Sequence, residues 1–505
     1  MILWWIASAF IGALAVLLFP KRWVWQVATL FSLGMGGWIL YEYLLRAPLE
    51  VTHGLSTLQF RLAWWGFPTS EGWTARYSIQ LFFATDGTAL WLALAVSLIC
   101  LILSFWPGWM LSQPRLQMAA FLSLQGLTLW TIFAYDLISF YVGFEAVLLP
   151  TYYLILTLSG GSAEGRRTAL EFLLYTLFGS VPMLGGILYG ASEMSRLNGF
   201  PITMSYYDWL KYPLPTETQV IVYLTFILAF WVKLGLFPLH GWVLSLYKHA
   251  PLSLVVFSSA LLTKLGAIAW LRWAPAFPQA HFLLGPYIGG LSAISLLGAG
   301  LGAYFQKDLR SWLALGTISH LSMIGVGVAA TSPTAGNGAA WMMISHALIA
   351  ALHLLVVSTL IKRSGTDVIA ELSGVAKNMP HLAALWMIAA LASIGLPGLI
   401  QFPAELLILT GTYTSYTLRR GIFIAALIGV LVSAVYTLPV LRRVLFGPSH
   451  SSFPDLEPAE KRLLWGLGLL LIGLGFVATP FLNEIQRSID PLMRLILFQS
   501  LGVQK

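Results

Sequence analysis

The sequence predicts an all-α polytopic membrane protein, and three observations carry that prediction. Of 505 residues, 58% are apolar and only 10% charged, 21 are Trp, and the mean hydropathy is +0.80. These values lie far outside the range of soluble domains. Apolar runs of about 20 residues, the length that crosses a bilayer, recur along the chain. One of them, QVIVYLTFILAFWVKLGLFPLHGWVLSLYKHAP at 219 to 251, is broken near its middle by Gly235 and Pro238 and carries Lys233 just before the break. An ammonium at bilayer depth costs roughly 2.5 to 3.5 kcal/mol. The proline removes a backbone donor and leaves carbonyls that lipid cannot satisfy, so this helix must line protein or water. Broken helices with ionisable residues near the midplane are how membrane transporters build ion sites.

Taken in order, helices are expected near 2 to 19, 24 to 45, 81 to 106, 116 to 135, 137 to 158 and 169 to 191, with the broken helix at 219 to 243 as the seventh. Spans near 252 to 273, 281 to 305, 309 to 330, 339 to 361, 381 to 416, 420 to 440 and 461 to 480 follow, about fourteen in all. The twelfth is too long for one plain crossing and contains Pro397, Gly398 and Pro403, so a second break is expected there. In the tail from Phe481, Ile485, Ile489, Leu492, Ile496 and Leu497 recur at helical spacing with Arg487 and Arg494 between them, the pattern of an interfacial or partner-binding helix. No connection exceeds about 35 residues, and none alternates long enough to predict a sheet. The N-terminal run is not followed by a small-residue cleavage site and reads as a retained first span.

Charge sets the orientation. The net charge of +8 would point to nucleic acid in a soluble protein; here no nucleic-acid partner is expected, because the loop cations have an explanation in topology. Loops after odd-numbered spans hold fifteen Lys and Arg, the other side eleven. The odd loops are therefore expected in the cytoplasm and both termini outside, with Arg419 and Arg420 running against the rule. The single Cys100, in an apolar run, excludes a disulfide within the chain and any Cys-based metal or iron-sulfur site.

Few ionisable residues lie at membrane depth. Glu145 sits about nine residues into its span, roughly 13 Å deep at 1.5 Å per residue. It is expected to pair with Lys233, since an ion pair lowers the burial cost of both. Lys264 is too far from either interface to snorkel. His320 in GTISHLSM and His346 in MMISHALIAALH are relay candidates, and His353 lies two turns beyond His346 on the same face. Glu405, just after the second break, gives the series an acidic end. No metal site, phosphate loop or Ser, His and Asp arrangement fits these residues, and a row of titratable groups through the membrane reads as a proton or cation path.

The two broken helices fall five spans apart, which predicts two inverted five-helix repeats, each containing one break. The chain then divides into 1–80 (helices 1 and 2 and an outer loop), 81–115 (helix 3), 116–273 (first repeat), 274–445 (second repeat) and 446–505 (helix 14 and the amphipathic tail). In that scheme Lys233 and Glu405 would hold related positions.

Six segments, FEAVLLPTYYLI, WVKLGLFPLHGW, LLTKLGA, QKDLRSWLALGTISHLSMIGVG, ISHALIAALHLL and IGLPGLIQFPAELLIL, resemble the antiporter-like membrane subunits of respiratory complex I, over roughly residues 80 to 445. The acidic Glu405, where related chains more often carry Lys, is similar to the type called M or subunit 4. The resemblance implies a proton-translocating subunit of a NADH:quinone oxidoreductase, with Glu145 and Lys233 as a switchable pair, Lys264, His320 and His346 as the central relay, and Glu405 at the outward exit. It implies no cofactor in this chain, with quinone, flavin and iron-sulfur clusters in partner subunits. The implied neighbours are two antiporter-like subunits and the lateral helix of a third, in a lipid bilayer, either a bacterial inner membrane or a thylakoid. Two alternatives share the fold: an Mrp-type cation/proton antiporter subunit, and the membrane arm of a ferredoxin- or hydrogenase-linked complex. One segment departs from the pattern. After PLHGW the family usually continues through Pro-Asp-Ala-His, whereas this chain has Leu244, Ser245, Leu246 and Tyr247.

Overall fold

Aspartate and serine side chains set five of the helix starts. The carboxylates of Asp86, Asp136 and Asp308 accept from the backbone N–H groups of Ala89, Ser139 and Ser311, each at 2.7 Å, and the hydroxyls of Ser162 and Ser332 cap two more helices in the same way. The computed structural model describes residues 2–45, 59–65, 77–106, 112–199, 201–448 and 453–501. The stretches 46–58 and 66–76 of the expected outer loop lie outside the described residues, as do Arg46, Arg76 and Lys505 of the charge count.

Among the described residues, eleven helices are long and apolar enough to cross a membrane, or twelve if the bent pair Pro458–Phe476 and Thr479–Leu501 counts as one span. Ile2–Leu18 and the pieces Pro380–Ser393 and Phe402–Tyr413 are apolar but shorter. Leu252–Ala276, Leu309–Ala329 and Pro333–Ser364 form the buried centre, while Arg420–Leu445 and Ala163–Asn198 present much of their surface outward. That order follows from composition: the central helices carry the polar side chains, and the outer ones present Leu, Ile and Phe to lipid.

Several expectations need correction. Residues 81 to 84 are not helical: Tyr77–Ala84 is a strand, paired antiparallel with Gln59–Trp65 and parallel with Ile202–Thr203, and the helix begins only at Gly87. A small sheet therefore exists where no alternating pattern announced one. Two of its strands share the connection after the second span without an alternating pattern, and the third, Ile202–Thr203, is two residues long and comes from a distant loop. The fifth span is interrupted at Val147, between Leu137–Ala146 and Leu148–Leu158. Pro150 explains the interruption, since it has no N–H to continue the ladder. The sixth helix runs from Ala163 to Asn198, longer than expected at both ends. The tail forms the helix Thr479–Leu501, bent by 70° from its predecessor. Its apolar face is not free for a partner: Ile485, Ile489, Met493 and Ile496 are buried against this chain's own bundle. The Ser488 hydroxyl accepts from Gly87 N at 2.8 Å, and Asn337 donates to Asp490 at 2.7 Å, which holds the helix in place.

Both expected breaks are present and share one backbone design. At the first, Gly235 has φ +69°, Leu236 N donates to Trp231 O at 3.2 Å, and Leu239 N donates to Leu236 O at 2.8 Å. At the second, Gly395 has φ +70°, Leu396 N donates to Leu391 O at 3.2 Å, and Leu399 N donates to Leu396 O at 3.1 Å. The carbonyls released are taken by indoles: Trp242 donates to Val232 O, Trp231 to Phe237 O and Trp341 to Ile400 O, all at 2.9 to 3.0 Å. Aligning the two Gly-Leu pairs sets Lys233 against Ser393, and Glu405 against Ser245. Lys233 and Glu405 are therefore not counterparts, because one precedes its break by two residues and the other follows its break by ten.

Gly235→Ala places a side chain in the left-handed region, which costs roughly 1 to 2 kcal/mol, and sets its Cβ 2.3 Å from a methyl of Val243. We expect a lower midpoint in thermal unfolding of the purified protein. An unchanged midpoint would show that the break does not depend on this glycine.

Candidate functional site

The central feature is Lys264. It follows a π-helical turn, Ser258–Leu262, whose wider winding frees the carbonyl of Ser259. The buried ammonium donates to Ser259 O at 2.5 Å, to Thr263 Oγ1 at 3.3 Å and to His346 Nδ1 at 2.8 Å. All three of its hydrogens are occupied, yet among the described residues no carboxylate lies within 4.0 Å. A charge held only by neutral acceptors in an apolar interior is costly, which makes this nitrogen a group that can give up a proton.

From His346 the polar groups continue across the second half of the chain. The His346 and His320 rings stand 5.6 Å apart, centroid to centroid. Both line a cavity of about 30 Å³ together with Thr317, His353 and Tyr436. That volume holds about two waters, and the lining offers them polar partners. His320 lies between Gln401, 3.3 Å from its Nδ1, and Tyr436, 3.3 Å from its Nε2. The amide of Gln401 has two hydrogens, and the contact with His320 is the longest of its three. Gln401 also donates to Ser393 O at 2.7 Å and to Glu405 Oε1 at 2.8 Å. The buried Glu405 carboxylate lies against Gly395, in the first turn of its half-helix, where the positive end of the helix dipole favours an anion. Thus the structure brings Lys264, His346, His320 and Glu405 together. His353 joins the cavity wall, with its Nε2 accepting from Trp386 at 2.8 Å.

The first pair is arranged otherwise. Lys233 Nζ donates to Phe144 O at 2.9 Å and stands 4.3 Å from the centre of the Phe144 ring. No ion pair within 4.0 Å joins it to Glu145 among the described residues, so the expected contact is open in this structure. The carbonyl is available because the helix is interrupted just beyond it, at Val147, and the cation gains from the ring face as well. Glu145 is half-buried, faces Ser180, and shares its turn with the exposed Val142 and Leu149 on the outer wall. No hydrogen bond links Lys233 to Lys264 among the described residues, although their helices pack together.

Several participants were not singled out from the sequence. Gln401 lies between Pro397 and Pro403, so a polar residue inside a break was a readable signal. Tyr436 sits on an outer helix with no pattern to mark it. A second buried cluster near the other end of the Lys264 helix was also missed. Arg272 donates to Ile132 O at 2.7 Å, pairs with Asp86 at 3.3 Å and stacks on Tyr135, whose hydroxyl donates to Asp86. Among the described residues, no group of three or more His, Cys, Asp or Glu stands in metal-ligand geometry.

A bundle with two broken helices, and a buried row of lysine, histidine and carboxylate between them, defines a polytopic membrane protein of the ion-translocating class. Residues 134–433 match the family described as NADH:quinone oxidoreductase/Mrp antiporter, transmembrane. NADH-quinone oxidoreductase subunit M of Rickettsia felis is 32% identical over 430 residues, covering 83% of this chain and 85% of that one. An NAD(P)H-quinone oxidoreductase chain 4 of Synechococcus sp. is 29% identical over 486 residues, covering 92% and 87%. A chain of respiratory complex I from Thermus thermophilus superposes with a TM-score of 0.86 at 26% identity, covering 98% of this chain and all of that one. This chain belongs to the NADH:quinone oxidoreductase/Mrp antiporter family, in the branch of subunit M and chain 4.

Gln401→Leu removes the donor shared by His320 and Glu405. We expect infrared difference spectra to show the Glu405 carboxyl band displaced to higher frequency, its assignment fixed by loss of the band in Glu405→Gln. An unmoved band would mean that Gln401 does not hold this carboxyl.

Proposed function

We propose that this chain conducts protons through the membrane arm of a quinone-reducing complex, by way of Lys264, His346, His320, Gln401 and Glu405, with Lys233 and Glu145 controlling access. The observation that carries the reading is the Lys264 ammonium, bonded to His346 with no counter-ion within 4.0 Å among the described residues. Loading Lys264 charges the site, and passing the proton on to the imidazole returns the lysine to the neutral form that the apolar surroundings favour. His346 hands the proton over the cavity to His320, and Gln401 orients both His320 and the terminal acceptor Glu405.

The Lys233 pair acts by distance. Closing Glu145 to about 4 Å from the ammonium is worth roughly 4 kcal/mol at an effective dielectric near 20. Opening that contact therefore loosens the proton on Lys233 by a comparable energy. Glu145 is reachable from the outer wall of the bundle, so a neighbouring membrane subunit seated there would set the separation. In this reading the redox groups, quinone, flavin and iron-sulfur clusters, reside in partner subunits, and two antiporter-like chains with the lateral helix of a third are the neighbours.

The proposed topology has fourteen crossings in two inverted repeats, in a bacterial inner membrane with both termini outside. Loop pairings support it. The strands Tyr77–Ala84 and Ile202–Thr203 come from connections after the second and sixth spans, and Tyr135 N, after the fourth, donates to Phe82 O at 2.7 Å. On the opposite parity, Arg310 donates to Tyr247 O and Ala250 O, each at 3.0 Å, joining the connections after the seventh and ninth spans.

Proton uptake into sealed inverted vesicles after addition of electron donor tests the function. Lys264→Gln and Glu145→Gln are each expected to reduce uptake at least about tenfold, below the ~10²–10⁴ range typical of a positioned proton-transfer group. Parental uptake in Lys264→Gln would overturn the path. Gradient collapse by a sodium pulse in the parent alone, with donor-driven uptake unaltered, would identify an antiporter instead.

A further inference from the structure

The seam between the helices Val24–Leu45 and Gly87–Phe105 opens into a groove of about 610 Å³, a size that takes an organic ligand rather than a water. It follows the first helix from Leu33 to Trp25, eight residues or about 12 Å along the axis. Leu30, Leu33 and Phe105 on its walls are each more than half exposed, so it opens on the outer surface of the bundle. The polar groups of the lining spend their hydrogens on the protein itself. Ser104 Oγ donates to Leu101 O at 2.7 Å, which leaves Thr29 as the donor across the seam to Ser104, at 3.1 Å. The Gln26 amide donates to Arg22 O at 3.0 Å and to Trp23 O at 3.2 Å. Trp25 and Trp106 complete the lining at the end of the two helices, a placement of indoles that marks the membrane surface.

Two cations stand at that end. Lys21 and Arg22 belong to the short helix Lys21–Trp23 that leads into the first wall, each one turn before a lining residue, Trp25 and Gln26 respectively, and so on the face of the groove. Both are exposed, and neither makes an ion pair among the described residues. Residues 1–41 and 87–135, which supply the four helices packed together here, contain no Asp or Glu at all. The positive charge at the mouth thus has no counter-ion in these helices. We propose that the groove holds an acyl chain of an anionic phospholipid whose headgroup is bound by Lys21 and Arg22. Apolar contact alone cannot select this lipid, since the tails that surround the protein are equally apolar. Selection comes from charge, each cation near the membrane surface favouring an anionic headgroup about fivefold. The bound lipid fastens the helix Val24–Leu45, little of which is buried against the chain's own bundle.

Photolabelling of the whole complex in vesicles tests the site. The probes are phosphatidylglycerol and phosphatidylcholine, each with a diazirine in one acyl chain and at the same trace mole fraction, and adducts are located by mass spectrometry of the peptides. Adducts within residues 25–33 and 104–106 are expected about twentyfold more often with phosphatidylglycerol. Lys21→Gln and Arg22→Gln should each lower that excess about fivefold, and the double variant should abolish it. Leu33→Trp, which narrows the groove, should lower the adducts of both probes. If the double variant fails to assemble, Leu33→Trp and the comparison of headgroups in the parent decide. Equal labelling by the two probes in the parent would make this ordinary boundary lipid, and an excess that persists in the double variant would place the headgroup elsewhere. Absence of labelling with both would mean that a neighbouring subunit covers the groove, and adducts displaced by a short-chain quinone but not by unlabelled phosphatidylglycerol would make the occupant a quinone. Each of these four results overturns the proposal.

Discussion

An apolar medium offers no partner to a carbonyl or an ammonium, and the arrangement of this protein follows from that constraint. Places where the helical ladder is interrupted release carbonyl oxygens, and several of these are taken by a nearby donor. At the two Gly-Leu breaks the donors are indoles, Trp242 and Trp231 on one side and Trp341 on the other. At the π-helical turn and at Val147 the donors are the two buried lysines, Lys264 on Ser259 O and Lys233 on Phe144 O. The lysines are thus tolerated at depth by the same irregularities that would otherwise be unsatisfied. Remove the irregular turn, and the ammonium loses its acceptor.

That coupling gives the two lysines different characters. Lys233 has an aromatic face and a carbonyl, and among the described residues no ion pair joins it to the Glu145 carboxylate nearer the outer wall. Lys264 has only neutral acceptors and one imidazole, deep in the bundle. In the proposed path the first responds to a neighbour and the second hands a proton inward. Between Lys264 and Glu405 the groups alternate between direct hydrogen bonds and one small cavity, so the row is continuous in polarity without being a rigid wire. Gly338 and Gly411 allow the half-helix Phe402–Tyr413 to approach the His346 helix backbone to backbone, which brings Glu405 and Gln401 within reach of His320.

The charged cluster of Arg272, Asp86 and Tyr135 has a different part. Here the cation is paired, bonded to two carbonyls and stacked on a ring, with every component fixed by backbone contacts. Asp86 caps its own helix at the same time, so the cluster ties the strand, the capped helix and the end of the Lys264 helix together. Such saturation is suited to holding the bundle ends in place, in contrast to the sparsely partnered Lys264.

By itself the sequence determined the class of fold and both breaks, because hydropathy and proline act locally and leave marks within one segment. It also determined that Lys264, His320, His346 and Glu405 share the interior, since lipid would exclude each of them from the outer wall. The interruption at Val147 was marked locally by Pro150, whereas the pairing of Tyr77–Ala84 with Ile202–Thr203 and the seating of the tail were decided by tertiary structure, as each depends on pairing between segments far apart in the chain. So was the state of Lys233: pairing with Glu145 looked favourable from charge alone, yet the carbonyl and ring of Phe144 claim the ammonium. Gln401, Tyr436 and the partnership of Tyr247 with Thr317 likewise emerge only when helices from both halves pack together. Periodicity can say which residues must be hidden from lipid, but which hidden groups touch is a property of the packed bundle.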